Sequence, residues 1–309
     1  MNAPRSELSL PGIDGGNPLG FLAALGTLRA VSLARPDWQA KLAWRPLAHW
    51  TPVLSLATEV ASASTLLDAL EAYLPDTPLS RVLALADDIK FTPDAFRNHL
   101  LSAIAGDSAA DRIDIEMLTA LGSEALSTDG GLVPDTALRT MSGAGHQHFL
   151  LFMRQLIENT TREHLDKALF QTWRHDDPQP SLRWDPSDDR RYALRWKNPS
   201  SDPILTVRGA NRLAIEALPL FTTTVVGDDL KTPGFKGRGM NDTYWTWPMW
   251  EPFINLDVSR ALLNVGLLQA EIDPAAHQQL SGMGIRQVFR AQRITTGKYR
   301  NFSSAQAIA

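Results

Sequence analysis

The sequence predicts an α+β fold, with a mostly helical N-terminal part and a C-terminal part that mixes strands with helices. Between residues 58 and 173, apolar side chains recur at the spacing of amphipathic helices. Residues 175–189 are rich in Asp and Pro, which favour turns and loops. After that stretch, short runs of β-branched and aromatic residues alternate with helical segments. We therefore divide the chain into an N-terminal region, residues 1–175, and a C-terminal region, residues 176–309.

The first predicted helix follows a loop-like stretch at residues 5–16. The Asn17 side chain can cap a helix, and Pro18 suits its first turn. Residues 19–33 are apolar nearly all round, which is typical of a buried helix. Small residues such as Gly26 indicate that this helix lies in close contact with a neighbour.

The rest of the N-terminal region is predicted as two strands followed by helices. The strands are residues 41–44 and 51–56, and an amphipathic helix covers residues 58–73. A second helix starts at Thr92 and ends at Gly106, and a third spans residues 143–161. A shorter helix follows it and ends near Trp173.

The C-terminal region is predicted to contain four strands and three helices. Their limits follow from short strand-like runs and from helical spacing between them. The strands are residues 191–197, 204–208, 222–226 and 243–247, and the helices are residues 211–218, 257–269 and 284–293.

Composition excludes several classes of protein. The chain has 309 residues and 44% hydrophobic residues, enough for a sizeable core. Its longest apolar run, from Leu19, is interrupted by Arg29 and Arg35 and is too short to cross a membrane. The absence of cysteine excludes disulfides, thiolate zinc sites and iron–sulfur clusters. With no recognisable signal peptide, we expect a cytoplasmic protein without membrane contact.

Charge is distributed unevenly along the chain. Residues 1–180 contain 14 Lys and Arg against 22 Asp and Glu, whereas residues 181–309 contain 16 against 12. No acidic residue follows Asp273. This distribution predicts that the acidic N-terminal region docks on protein neighbours and that the basic C-terminal region contacts nucleic acid.

The segment after Asp273 carries the strongest candidate cations. If residues 284–293 are helical, Arg286, Arg290 and Arg293 share one face, and guanidinium groups suit phosphate oxygens. Lys298, Arg300 and Asn301 follow among hydroxyls and a glycine, which is typical of a loop that contacts a nucleic-acid backbone. The alternative is a solvated face that pairs with the acidic N-terminal region.

A second candidate surface lies between residues 231 and 250. Lys236, Arg238 and Asn241 are interleaved with glycines and precede Tyr244, and bases stack on aromatic rings in single-strand binding proteins. Trp245, Trp247 and Trp250 belong to the same run of aromatic rings; we interpret them as core residues, with base stacking as the alternative. Further candidate cations for nucleic-acid contact are Arg190, Arg191 and Arg208.

Two patterns suggest enzymatic chemistry, but each has a structural interpretation. Asp185 and Asp189 lie beside Arg190 and Arg191, so a turn with local salt bridges explains them better than paired catalytic carboxylates. His146, His148, His175 and Asp176 are possible metal ligands, but their spacing matches no known metal motif. We therefore expect no catalytic residue, no metal and no cofactor, and keep a metal-dependent phosphohydrolase or nuclease as an alternative.

Three segments carry a resemblance to a known family. Residues 10–29 read LPGIDGGNPLGFLAALGTLR, a polar loop leading into an apolar helix with Leu-Arg at its end. This opening resembles large-subunit proteins of type I CRISPR effector complexes of the G (formerly U) subtype. Residues 184–191 and the Asn-Arg-Leu-Ala sequence at residues 211–214 are similar to other pieces of these proteins.

The resemblance implies a non-catalytic subunit of a Cascade-like surveillance complex in antiviral defence. In such a complex, guide RNA reads the sequence, while a protein subunit reads a short flanking motif, the PAM, in double-stranded target DNA and holds the separated strands. The implied partners are the RNA-containing complex, target DNA and other Cas proteins. The chain would be the large subunit or another component, and a protein-only adaptor remains a further alternative.

Overall fold

A computed structural model describes residues 4–141, 148–178, 180–188, 205–237, 242–270, 273–296 and 299–309. The predicted α+β class is confirmed, because helices and antiparallel sheets both contribute substantially to the described chain. None of the helices in these ranges is both long enough and apolar enough to span a bilayer.

The first helix, α1 (Pro18–Ala34), begins as predicted at the Asn17 cap. The Asn17 side-chain oxygen accepts hydrogen bonds from the backbone N–H groups of Leu19 (2.9 Å) and Gly20 (3.4 Å). From Pro18 to Val31 the helix is buried on every side. It packs most extensively on α8 (Arg208–Ala217), which brings the two regions of the chain together.

Three antiparallel strands form the N-terminal sheet, in the order β1-β3-β2. They are β1 (Ser6–Ser9), β2 (Lys41–Pro46) and β3 (Trp50–Leu56). The strands predicted at residues 41–44 and 51–56 are confirmed. The expected loop at residues 5–16 is wrong at its start, because β1 pairs with β3 from Ser6 opposite Leu56 to Ser9 opposite Val53.

Helices dominate the chain between this sheet and residue 170, as predicted. Ser62, Thr92 and Ser108 cap α2, α4 and α5 through their side-chain oxygens, and α3 and α5 are additions to the predicted set. The helices are α2 (Ala63–Tyr73), α3 (Ser80–Leu83), α4 (Pro93–Ile104), α5 (Ala109–Leu121), α6 (Phe149–Asn159) and α7 (Arg162–Phe170).

The C-terminal region is built around an antiparallel sheet in the order β11-β10-β9-β8, with β12 also paired to β10. Two small antiparallel pairs, β4 with β5 and β6 with β7, accompany it, and α9 and α10 lie between β9 and β10 in the chain. The bounds are β4 (Asp177–Pro178), β5 (Leu205–Thr206), β6 (Thr224–Val226), β7 (Asp229–Lys231), β8 (Phe235–Lys236), β9 (Tyr244–Trp250), α9 (Leu256–Leu263), α10 (Pro274–Gly282), β10 (Ile285–Thr296), β11 (Tyr299–Phe302) and β12 (Gln306–Ala307).

The helix predicted at residues 284–293 is wrong, because these residues belong to strand β10. A bulge between Ile285 and Gln287 shifts the register against β9. Ile285 and Val288 consequently pack into the same small apolar cluster although they are three residues apart, which imitates helical spacing. Among the other predicted strands, 222–226 and 243–247 correspond to β6 and β9, whereas 204–208 is strand only at β5 and 191–197 lies outside the described residues.

One apolar core includes residues of both regions. The Phe21 ring of α1 lies 5.9 Å from Trp44, 5.9 Å from Trp245 and 5.8 Å from Trp247, measured between ring centroids. Trp245, Trp247 and Trp250 are at most 1% exposed, so their interpretation as core residues is confirmed. The proposed boundary near residue 175 therefore does not interrupt this core, and the functional roles assigned to the two regions stay predictions.

Candidate nucleic-acid interface

The C-terminal sheet has a polar outer face that gathers several of the predicted residues. Directly paired residues of antiparallel strands point to the same side of the sheet. Lys236 pairs with Tyr244, Tyr244 pairs with Gln292, and Arg290 pairs with Thr246. We call these five residues, Lys236, Tyr244, Thr246, Arg290 and Gln292, the outer sheet face.

Strand alternation explains why Tyr244 is exposed while its neighbours are buried. Along β9, Trp245 and Trp247 point into the core, so Tyr244 and Thr246 point the opposite way. Tyr244 retains 39% of its surface exposed, whereas Thr246 is covered. An accessible aromatic ring therefore lies between a lysine on one strand and a glutamine on the other.

The cations of the outer sheet face are held loosely by neutral groups. Arg290 Nε donates to Thr246 Oγ1 (3.1 Å), while its Nη groups make no hydrogen bond to any other described residue. The Lys236 ammonium, which is exposed, donates to the carbonyl oxygen of Gln269 (3.2 Å). In the described part of the chain, neither cation forms an ion pair, so both retain donors for an incoming anion.

Arg293 and Arg300 lie on the opposite side of the sheet. In the pairing of β10 with β11, Arg293 lies opposite Phe302, and Thr295 lies opposite Arg300. All four residues are on the side of the sheet that also carries the buried Trp245 and Trp247. Arg293 Nη1 donates to the Ala137 carbonyl (3.0 Å), and Arg300 Nη1 donates to the Arg139 carbonyl (3.4 Å). Burial, and then the nearby Arg300, lower the pKa of Arg293.

The predicted face of three arginines is therefore wrong. Because β10 is a strand, Arg290 and Arg293 point to opposite sides of the sheet. Arg286 is also not a free cation, since its Nε donates to Glu251 Oε2 at 2.6 Å. The acidic partner precedes Asp273, so inspection of the acid-free tail alone could not identify it.

The remaining predicted contact residues are in different settings. Arg208 starts α8, where its side chain donates to the carbonyls of Asn159 (3.3 Å) and Pro178 (3.2 Å). Asn301 is buried, with 3% of its surface exposed. Five predicted contact residues lie outside the described residues: Arg190, Arg191, Arg238, Asn241 and Lys298.

Ser181, Asp185 and Asp188 are buried polar residues close to the half-buried His175. The expected turn is present as a short 3-10 helix, Pro186–Asp188. Asp185 shares a 2.9 Å hydrogen bond with His175 Nε2, and the arginines expected to pair with it, Arg190 and Arg191, lie outside the described residues. This hydrogen bond raises the pKa of His175. Asp188 accepts a hydrogen bond from the Ser181 hydroxyl, and burial raises its pKa to about 7.

A metal site was considered on His146, His148, His175 and Asp176. Within the described ranges, no three His, Cys, Asp or Glu side chains are arranged to hold a metal ion. His148 precedes the first residue of α6, and His175 is engaged with Asp185. His146 lies outside the described residues, so the phosphohydrolase alternative stays a hypothesis for metal analysis to test.

Two of the segments that carry the family resemblance, residues 10–29 and residues 211–214, meet in the interior. Arg29 of α1 and Arg212 of α8 each lie 3.0 Å from a different carboxylate oxygen of Glu216, and all three side chains are at most 1% exposed. The Asn211 side-chain oxygen accepts a hydrogen bond from the Leu182 N–H (2.9 Å). These residues therefore lie inside the junction between α1 and α8 and do not form a surface site.

No protein-family model matches the chain, and no curated protein matches it either.

Proposed function

We propose that this chain is a non-catalytic, nucleic-acid-contacting subunit, and that its outer sheet face binds a single strand. The observation that carries the proposal is the exposed ring of Tyr244, placed between Lys236 and Gln292 and next to Arg290. An exposed aromatic ring among cations and amides on a sheet is a common arrangement for binding unpaired bases and their phosphates.

The chemistry of these side chains favours single strands over duplex. A ring lying on a sheet can stack only with a base that has left its own stack, and each such contact contributes roughly 1–3 kcal/mol. Lys236 and Arg290 would contact phosphates on either side of that base. Gln292 lies directly opposite Tyr244 on the neighbouring strand β10.

The family resemblance extends the proposal to the biological setting. We propose that the chain belongs to a Cascade-like type I CRISPR effector complex, where guide RNA pairing separates the target strands. The separated DNA strand would then supply the unpaired bases for Tyr244, with PAM recognition assigned to the same subunit. Other Cas proteins would contact the acidic N-terminal region.

Substitution at Tyr244 tests the binding mode. Tyr244→Ala should weaken binding of a fluorescent single-stranded oligonucleotide by roughly tenfold, because a base loses its stacking partner. Tyr244→Phe retains the ring and should bind within a few-fold of the wild-type chain. Fluorescence anisotropy at fixed salt measures both variants, with a duplex of the same sequence as a second ligand.

Two outcomes would contradict the proposed function. Equal loss of binding in Tyr244→Ala and Tyr244→Phe would show that the ring does not stack. Absence of nucleic-acid binding by the wild-type chain, alone and in its assembled complex, would favour the protein-only adaptor instead.

A further inference from the structure

The side of the C-terminal sheet opposite the outer sheet face, here called the inner face, changes from apolar to polar along β10. Near Trp245 and Trp247 it is part of the apolar core, but beyond Ala291 its side chains are Arg293 and Thr295. Arg300 of β11 lies directly opposite Thr295, one step diagonally from Arg293. Two guanidinium groups and a hydroxyl therefore point to the same side of two paired strands.

The backbone segment at residues 137–139 holds this group in place without neutralising it. Arg293 and Arg300 donate to the carbonyls of Ala137 and Arg139, which carry only partial negative charge. Between these two residues, the Leu138 carbonyl accepts a hydrogen bond from the Trp184 indole (2.8 Å). The guanidinium groups are thus fixed in position by a well-anchored segment before any ligand arrives.

The local charge is not balanced within the described residues. Asp135 is near enough to influence Arg293, but its carboxylate forms an ion pair with Arg139. Arg139 also forms an ion pair with Asp88 (2.6 Å). The carboxylates of Asp88 and Asp135 are therefore the acidic groups near three arginines, which are Arg139, Arg293 and Arg300. Within the described chain, neither Arg293 nor Arg300 forms an ion pair, and the enclosed Nε of Arg293 has no hydrogen-bond partner.

A buried or half-buried charge without a counter-ion is costly, and an arginine neighbour increases the cost. A bound anion removes both penalties and accepts the free guanidinium donors. Guanidinium groups present forked donor pairs that match the oxygens of a phosphate group, and a threonine hydroxyl commonly completes such a site.

We propose that Arg293, Arg300 and Thr295 form a phosphate-binding site on the inner side of the β10–β11 hairpin. This site is separate from the outer sheet face, and it does not depend on stacking at Tyr244. Its ligand is a phosphate group, which can belong either to a free phosphate compound or to a nucleic-acid backbone that passes around the edge strand β11.

Titration with inorganic pyrophosphate at constant ionic strength tests the site by calorimetry. The wild-type chain should bind pyrophosphate, and Arg300→Gln should weaken this binding by at least about tenfold, the loss expected for a charge-assisted contact. Arg286→Gln is the matched control, because it removes an arginine of the same strand that is already paired with Glu251. Arg300 is preferred to the more enclosed Arg293, and Thr295→Val provides a second, uncharged test.

Competition distinguishes the two sources of phosphate. If pyrophosphate displaces a single-stranded oligonucleotide from the wild-type chain, the ligand is a backbone phosphate; if both bind together, the ligand is a free phosphate compound. The proposal is overturned if the wild-type chain does not bind pyrophosphate, or if Arg300→Gln and Arg286→Gln, both folded by circular dichroism, bind it equally. Tyr244→Ala should leave the affinity for pyrophosphate unchanged. The phosphate site and single-strand binding by the outer sheet face are therefore tested by separate measurements, and either proposal can be wrong without the other.

Discussion

Asp188 shows at the scale of one residue how burial makes stability depend on pH. Only 1% of its surface is exposed, and burial raises its pKa from 3.8 to about 7. The folded protein therefore holds the Asp188 proton more tightly than the unfolded chain does. The free energy of unfolding should decline as the pH rises from about 4 to about 7, with a slope of at most about 1.4 kcal/mol per pH unit from this group.

The substitution Asp188→Asn should remove this contribution. Urea unfolding between pH 5 and pH 8 should show a shallower decline for Asp188→Asn than for the wild-type chain. A residual decline is expected from His175, whose raised pKa stabilises the folded state only while the imidazole is protonated. Identical profiles for Asp188→Asn and the wild-type chain would contradict the account.

Individual residues differed in how well the sequence indicated their setting. The Asn17 cap could be predicted because its requirements are local: a short polar side chain before a proline and an apolar helix. The ion pair of Arg286 with Glu251 could not, since the partner is 35 residues away. The sequence did not indicate Thr246 either, because the position of its side chain depends on the register of β9 against β10.

At the scale of elements, the contact between α1 and α8 explains the small residues of the first helix. A Cβ atom added at Gly26 would lie 1.8 Å from the Leu213 carbonyl oxygen. The neighbouring atom belongs to the backbone of α8, so it cannot move aside without displacing that helix. The absence of a side chain at Gly26 therefore sets the separation between the two helices.

Even the smallest enlargement at Gly26 should be destabilising. Gly26→Ala should lower the free energy of unfolding by about 2 kcal/mol, because overpacking outweighs the better helix propensity of alanine. Gly282→Ala, near the end of α10, is the matched control, since an added Cβ there meets no atom within 4 Å. Urea denaturation measures both, and equal stability of the two variants would contradict the proposed close contact.

Whether β10 is a helix or a strand could not be decided from its own sequence. Both sides of this strand are partly covered, so the alternation of polar and apolar residues that identifies an exposed strand is weak. The bulge after Ile285 adds an apparent three-residue spacing. Pairing with β9, which precedes β10 by more than 30 residues, makes this segment a strand. As a consequence, Arg290 and Arg293 lie on opposite faces of the sheet.

At the scale of the whole molecule, residues far apart in sequence form the apolar core. The predicted class and most long helices follow from local spacing, which is why they could be obtained from the sequence. The packing of Phe21 against Trp245 and Trp247 joins the first helix to a late strand, and local patterns contain no such information. The same long-range pairing creates the outer sheet face and the inner arginine pair.

In the proposed function, Lys236 and Arg290 of the outer sheet face contact the phosphates of a single strand. Each phosphate contact releases counterions and contributes about 0.7 to the slope of log affinity against log salt for single strands. The most direct measurement is this slope for a single-stranded oligonucleotide with Lys236→Gln/Arg290→Gln, compared with Arg97→Gln/Arg112→Gln, which removes two exposed cations from α4 and α5. The account predicts a slope flattened by about 1.4 in the first variant and a nearly unchanged slope in the control. An equal change in both variants would contradict it.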